Sequence, residues 1–97
     1  MRIVIDIDDR DKRWIAFKVF LGIIPERTHE QLMEYVNKVN DNIIILRTSL
    51  HKIDDDEVLV FDYFLWIYGG VTRANIVSAF REFRMLLHVA GEIGYKT

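Results

Sequence analysis

Residues Val58 to Tyr68 read Val-Leu-Val-Phe-Asp-Tyr-Phe-Leu-Trp-Ile-Tyr, with Asp62 as the single charged side chain. A segment that is apolar nearly all round has to be covered on most sides. Val58, Phe61, Leu65 and Tyr68 follow one another at three, four and three residues, which predicts a helix over Glu57 to Tyr68. The β-branched and aromatic content competes in favour of a strand, but the run exceeds the usual strand length and Gly69-Gly70 follows it directly. On the helix reading, either the final helix folds over this segment or a second chain covers it, so a homodimer is expected.

The chain has 97 residues, 51% of them hydrophobic, enough for one core, and the reading is a single domain over 1–97. With no Cys, disulfides and thiolate metal sites are excluded, and a reducing compartment is favoured. The apolar runs are too short for a membrane span, and Asp6 follows the start too closely for a signal peptide, so a cytoplasmic protein is expected. A formal net charge of -2 argues against a nucleic-acid binder that works by bulk electrostatics, while leaving room for a local set of phosphate contacts.

Taken in order, Ile3, Ile5 and Ile7 alternate with Arg2, Val4 and Asp6, a short strand. Asp8, with Asp11 three residues on, has the spacing of an acidic cap and predicts a helix to about Gly22, its apolar face built on Ile15 and Val19 with Trp14, Ala16 and Phe20. The loop Ile23 to Arg27 holds the only proline, Pro25. Thr28 caps a second helix, which carries Leu32, Val36 and Val39 and ends near Asn40 to Asn42. Ile43 to Ile53 reads as a strand, and Asp54 with Glu57 repeats the acidic-cap spacing. The last helix runs from Thr72 to about Ala90 on Ile76, Phe80, Phe83 and Leu87, and Glu92 to Thr97 form a partly mobile tail.

On this reading the two halves, 1–42 and 43–97, match element by element, each a strand, an acidic cap, a helix, a threonine cap and a helix. Two such units, neither able to bury its apolar face alone, close one core through paired strands. The fold class expected is therefore mainly α with a short antiparallel two-stranded ribbon, strand-helix-helix repeated twice.

Gly70-Val71-Thr72-Arg73-Ala74-Asn75-Ile76-Val77-Ser78-Ala79-Phe80 resembles the ribbon-helix-helix (MetJ/Arc-like) repressors, in which a glycine, a Ser or Thr cap and a polar-then-apolar helix recur. The resemblance extends over residues 47 to 85 and more loosely over 2 to 40, where the interhelical loop is too long for the pattern. It implies a sequence-specific DNA-binding transcriptional regulator whose ribbon enters the major groove of double-stranded DNA and reads base edges. It also implies phosphate contacts at Thr72, assisted by Arg73, with Thr28 as the counterpart of Thr72.

Two counts disagree on which strand face meets DNA. The more polar set exposes Arg47, Ser49 and His51; counting back from Asp54 exposes Lys52, Leu50 and Thr48, and a bulge near Lys52 would reconcile them. The first strand offers Arg2 but also Asp6, which repels phosphate. Its acid, together with the net acidity, favours the alternative class, a non-enzymatic protein-interaction module such as an adaptor or inhibitor.

Enzymatic chemistry finds little support. Asp6, Asp8 and Asp9 after a strand resemble the start of a magnesium site without the larger α/β frame it needs. Asp54 to Glu57 lacks the spaced ligands of a calcium loop, and His29, His51 and His88 lack metal-ligand spacing. Gly69-Gly70 lacks the lysine or further glycine of a phosphate loop. No catalytic residue, metal or cofactor is expected.

Overall fold

The structure, a computed structural model, describes residues 2–8, 10–11, 13–22, 27–67 and 70–95. Among these residues the chain forms β1 (Ile3–Ile7), β2 (Trp14–Leu21), α1 (His29–Asn42), β3 (Arg47–Ile53), β4 (Asp56–Trp66) and α2 (Arg73–Tyr95). The strands make one antiparallel sheet in the order β1-β2-β4-β3. This overturns the mainly α expectation: the two-stranded ribbon is replaced by a four-stranded sheet, and the repeated unit is strand-strand-helix rather than strand-helix-helix.

Two expected helices are strands. The helix from Asp8 to Gly22 is β2, and the helix from Glu57 to Tyr68 is β4, with Tyr68 and Gly69 outside the described residues. In β2, Ile15, Phe17 and Val19 face the core at every second position, while Trp14, Ala16, Lys18 and Phe20 face the other way. Residues four apart lie on one side of a strand as well as of a helix, so the Ile15–Val19 pair fits both periods. β4 pairs with β2 over Leu59 to Trp66 and with β3 over Asp56 to Asp62, so from Leu59 to Asp62 it has strand neighbours on both sides. On one face the cover that its composition demands comes from the helices of its own chain, while on the other Phe64 and Trp66 stay exposed.

The two acidic caps are turns. Asp8 accepts backbone N–H bonds from Arg10 at 3.3 Å, Asp11 at 3.4 Å and Arg13 at 3.2 Å, organising the loop between β1 and β2. The Asp8–Asp11 bond is the one a helix cap would make; here it closes a hairpin. Burial acts to raise the Asp8 pKa, but those donors and the Arg13 guanidinium outweigh it and hold the carboxyl below its ordinary value.

Asp54 and Asp55, at φ of 49° and 70°, form the two-residue connection between Ile53 and its partner Asp56, the backbone signature of a type I′ hairpin. Gly suits the second position of such a turn better than any L side chain. Asp55→Gly is therefore expected to stabilise the fold by about 0.5–1 kcal/mol, read from the urea midpoint at unchanged slope.

The expected strand over Ile43 to Ile53 is shorter, beginning at Arg47, because Ile43 to Leu46 turn the chain from α1 into β3. α1 matches its reading closely. Thr28 forms a capping box with Gln31, in which its hydroxyl accepts the Gln31 N–H at 3.1 Å and Gln31 Oε1 accepts the Thr28 N–H at 2.9 Å, and Leu32, Val36 and Val39 are buried. Of the Pro25 loop preceding it, Ile23 to Glu26 lie outside the described residues.

α2 runs to Tyr95, through Gly91 and into the expected tail, of which only Lys96 and Thr97 lie outside the described residues. Both helices pack on the same face of the sheet, around Phe17, Val19, Phe61, Leu46 and Phe83. Phe17 stacks on Phe83 at 6.0 Å between centroids and meets Phe80 edge-on at 5.9 Å. The Tyr63 hydroxyl donates to Glu82 at 2.9 Å, and burial followed by that carboxylate pushes its pKa up.

Candidate functional site: the helix-free face of the sheet

With both helices on one side, the other side of the sheet is left without a covering element among the described residues. Strand alternation assigns to it Val4 and Asp6 of β1, Trp14, Ala16, Lys18 and Phe20 of β2, Val58, Val60, Asp62, Phe64 and Trp66 of β4, and Arg47, Ser49, His51 and Ile53 of β3. Its middle is tightly covered by its own neighbours: Ala16 lies opposite Phe64, Val60 lies opposite Phe20, and both small residues are buried. Its large side chains are not: Phe20 is 45% exposed, Phe64 45% and Trp66 69%.

At one end of this face Trp14 meets Phe64 edge-on at 5.4 Å, and Trp14, Phe64 and Trp66 line a shallow open cleft. Arg47 lies over the Phe64 ring, its guanidinium carbon 5.5 Å from the centroid. The same guanidinium donates twice to Asp62 Oδ2, from Nη2 at 2.7 Å and Nε at 3.1 Å, leaving the buried Asp62 Oδ1 without a partner. Lys18 pairs with Asp6 at 3.5 Å. The charges Asp6, Lys18, Asp62 and Arg47 thus alternate in sign across the face and are paired with one another.

The sequence-derived residues are dispersed. Arg47, Ser49 and His51 do share one face, and Ser49 Oγ and His51 Nε2 are 2.9 Å apart. Thr48, Leu50 and Lys52 point to the helix side, Thr48 fully buried, and the β3–β4 register is unbroken, so no bulge is needed at Lys52. Thr72 caps α2 by accepting the Asn75 N–H at 3.1 Å, and Arg73 is exposed at the start of that helix. Thr28 serves the α1 capping box, and Arg2 is exposed before β1. Both threonine hydroxyls are thus engaged by their own helices.

Sequence reasoning passed over the Trp14–Phe64–Trp66 cluster, because on the helix reading Trp14 and Trp66 belonged to separate helices. Trp14 and Trp66 are in fact directly opposite in the β2–β4 register. No group of three or more His, Cys, Asp or Glu residues suited to a metal ion occurs among the described residues. Among them, too, no helix is long and apolar enough to cross a membrane.

A family model described as "YbjN: Putative bacterial sensory transduction regulator" matches residues 5–88. The crystal structure of YbjN from E. coli, described as a putative transcription regulator, superposes with a TM-score of 0.77 at 20% sequence identity, covering 91% of this chain and 63% of that one. At that identity the likeness establishes the fold alone, and this chain spans 63% of the length of that solved relative. No curated protein matches. The resemblance to ribbon-helix-helix repressors is thereby overturned: Gly70 to Phe80 is a capped helix start on a different architecture, with no two-stranded ribbon for it to support, and the DNA-binding repressor reading built on that resemblance loses its basis. The match over residues 5–88 and the shared fold make this chain a member of the YbjN family.

Proposed function

We propose that this chain is a non-enzymatic regulatory module that acts by binding another polypeptide on the helix-free face of its sheet. The observation that carries the reading is the contrast on that face between exposed aromatic and aliphatic side chains and charges already paired with one another. Large apolar surface left open on a small domain marks an interaction site, and Trp and Phe are strong anchors there. The regulator descriptions of the family and of the E. coli structure support the same class.

The partner's chemistry follows from the face. It presents an apolar surface of low charge, with an aromatic or long aliphatic side chain for the cleft between Trp14, Phe64 and Trp66. A polyanion is a poor fit, since Lys18 and Arg47 are engaged by Asp6 and Asp62 and the chain as a whole is acidic.

A photo-reactive side chain in place of Trp66, compared with one in place of the exposed Arg84 on α2, tests this in cells. A protein linked from position 66 alone is then purified for binding measurements. Phe64→Ala and Trp66→Ala are each expected to weaken its affinity about 30-fold, and Arg84→Ala less than about twofold. Equal affinity for all variants, or linkage from position 66 to duplex DNA, overturns the reading.

A further inference from the structure

We infer that two copies of this chain join edge to edge through β1, doubling the four-stranded sheet into one continuous sheet. The two edges of the sheet are treated differently by the sequence. At the β3 edge the Asn40 side chain acts as a neighbouring strand would: its Nδ2 donates to the Thr48 carbonyl at 2.9 Å, and its Oδ1 accepts the Thr48 N–H at 2.9 Å. Lys52 adds a charge to the same strand. These are the devices by which sheets close an edge to pairing.

β1 has neither. The Asp8 N–H donates to the Trp14 carbonyl at 3.0 Å, which continues the β1–β2 ladder by one pair and sets its parity. Even-numbered residues turn their peptide groups to β2, and Ile3, Ile5 and Ile7 turn theirs to the outside. The strand is Ile-Val-Ile-Asp-Ile, without Pro or Lys, and Ile5 and Ile7 stand 56% and 47% exposed on the helix side, where they project beyond the core. Open peptide groups beside exposed isoleucines form a template for another strand.

That the other strand is a second β1 follows from charge. Antiparallel pairing about a two-fold axis at Val4 sets Arg2 opposite Asp6 of the second copy and Ile3 opposite Ile5 of the second copy. The outward peptide groups of Ile3 and Ile5 then meet in pairs that exchange both N–H···O bonds, and Val4 meets its own copy in the closer, non-hydrogen-bonded geometry. Asp6, its side chain 51% exposed and held by Lys18 only at 3.5 Å, is open to a second cation. An axis at Ile5 would set Asp6 against Val4 and Arg2 against Asp8, which is buried and already holds Arg10, Asp11 and Arg13, and an axis at Asp6 would set the two exposed acids against each other, so the charges favour the Val4 register.

Because the sequence has no Cys, single cysteines report the register directly. Val4→Cys places its thiol opposite itself at a Cα separation of about 4.5 Å, within disulfide reach, and is expected to form a covalent dimer under mild oxidation. Ile5→Cys is expected to link no faster than Arg84→Cys on the exposed side of α2. By sedimentation equilibrium the unmodified chain is expected to dimerise with a Kd on the order of 10 µM, as suits a small interface.

Arg2→Asp and Asp6→Arg are each expected to raise that Kd about tenfold, and the double exchange Arg2→Asp/Asp6→Arg to restore most of it. Circular dichroism of each variant separates lost pairing from lost folding. A monomer mass at about 500 µM, Ile5→Cys linking as readily as Val4→Cys, or a double exchange no better than either single change overturns the proposal.

Discussion

Phe17→Ala is expected to lower the unfolding free energy by about 3–5 kcal/mol, the range for deleting a buried aromatic side chain. Phe17 has no exposed surface, stacks on Phe83 and touches Phe80 and Tyr63, so its removal leaves a cavity walled by the sheet and by α2. A domain of this size commonly has about 5–15 kcal/mol of stability, so the variant would be marginal at physiological temperature. Urea unfolding followed by circular dichroism gives the midpoint shift.

The comparison with Phe64→Ala makes this a test of architecture as well as of stability. Phe64 is on the helix-free face, 45% exposed, and its removal is expected to cost less than about 1.5 kcal/mol. Were residues 14–21 helical with Ile15 and Val19 inward, Phe17 would lie off the apolar face and its loss would be mild. A small effect at Phe17 would count against β2 as described.

Arg47→Met is expected to destabilise by about 2–3 kcal/mol, toward the lower end of what breaking a buried ion pair costs. Asp62 is 2% exposed and one of its oxygens already lacks a partner; losing Arg47 strips the other as well. The magnitude is held down because the Arg47 side chain is 65% exposed, so water can approach from that side. The double change Arg47→Met/Asp62→Leu is expected to return stability to the original level or above it, because an apolar pair avoids the desolvation that Asp62 undergoes on folding. A double-mutant cycle in urea gives the coupling directly; a double variant no better than Arg47→Met alone would show that Asp62 is satisfied in some other way.

The setting of Asp62 in β4 shows why a helix reading of this segment fails. On a helix it was an isolated charge on an apolar cylinder. In the sheet it stands directly opposite Arg47 on one side and Lys18 on the other, two cations supplied by neighbouring strands. Those neighbours are 15 and 44 residues away in sequence, the first by the hydrogen-bond separation and the second by difference of position, and no local pattern reports them. The Trp14–Phe64–Trp66 cluster was hidden for the same reason, being created by the β2–β4 register.

Elements whose signal is local were legible. Thr28 with Gln31 marks a helix start through two bonds within one turn, and Leu32, Val36 and Val39 then fall on the buried side of α1. Ile3, Ile5 and Ile7 alternate as a strand, and Arg47, Ser49 and His51 share a face by the same alternation. Thr72 caps α2 as expected. The acidic spacings at Asp8 and Asp54 were also real local signals, but a carboxylate that gathers nearby N–H groups serves a turn as well as a helix. Local chemistry could not say which element came next.

What the sequence by itself determined is the capped starts of α1 and α2, their apolar residues, and the need for the segment around Asp62 to be buried on most sides. Only the tertiary structure decided that β2 and β4 are strands, that both helices cover one face of the sheet, and that the aromatic cluster and the paired charges lie together on the other. The physical reason is that residues four apart share a side in both a helix and a strand, so Ile15 with Val19 and Phe61 with Leu65 fit either period. β4 is apolar on both faces, one packed under the helices and the other carrying Phe64 and Trp66, so no spacing stands out and its conformation is chosen by the backbone partners it finds across the sheet.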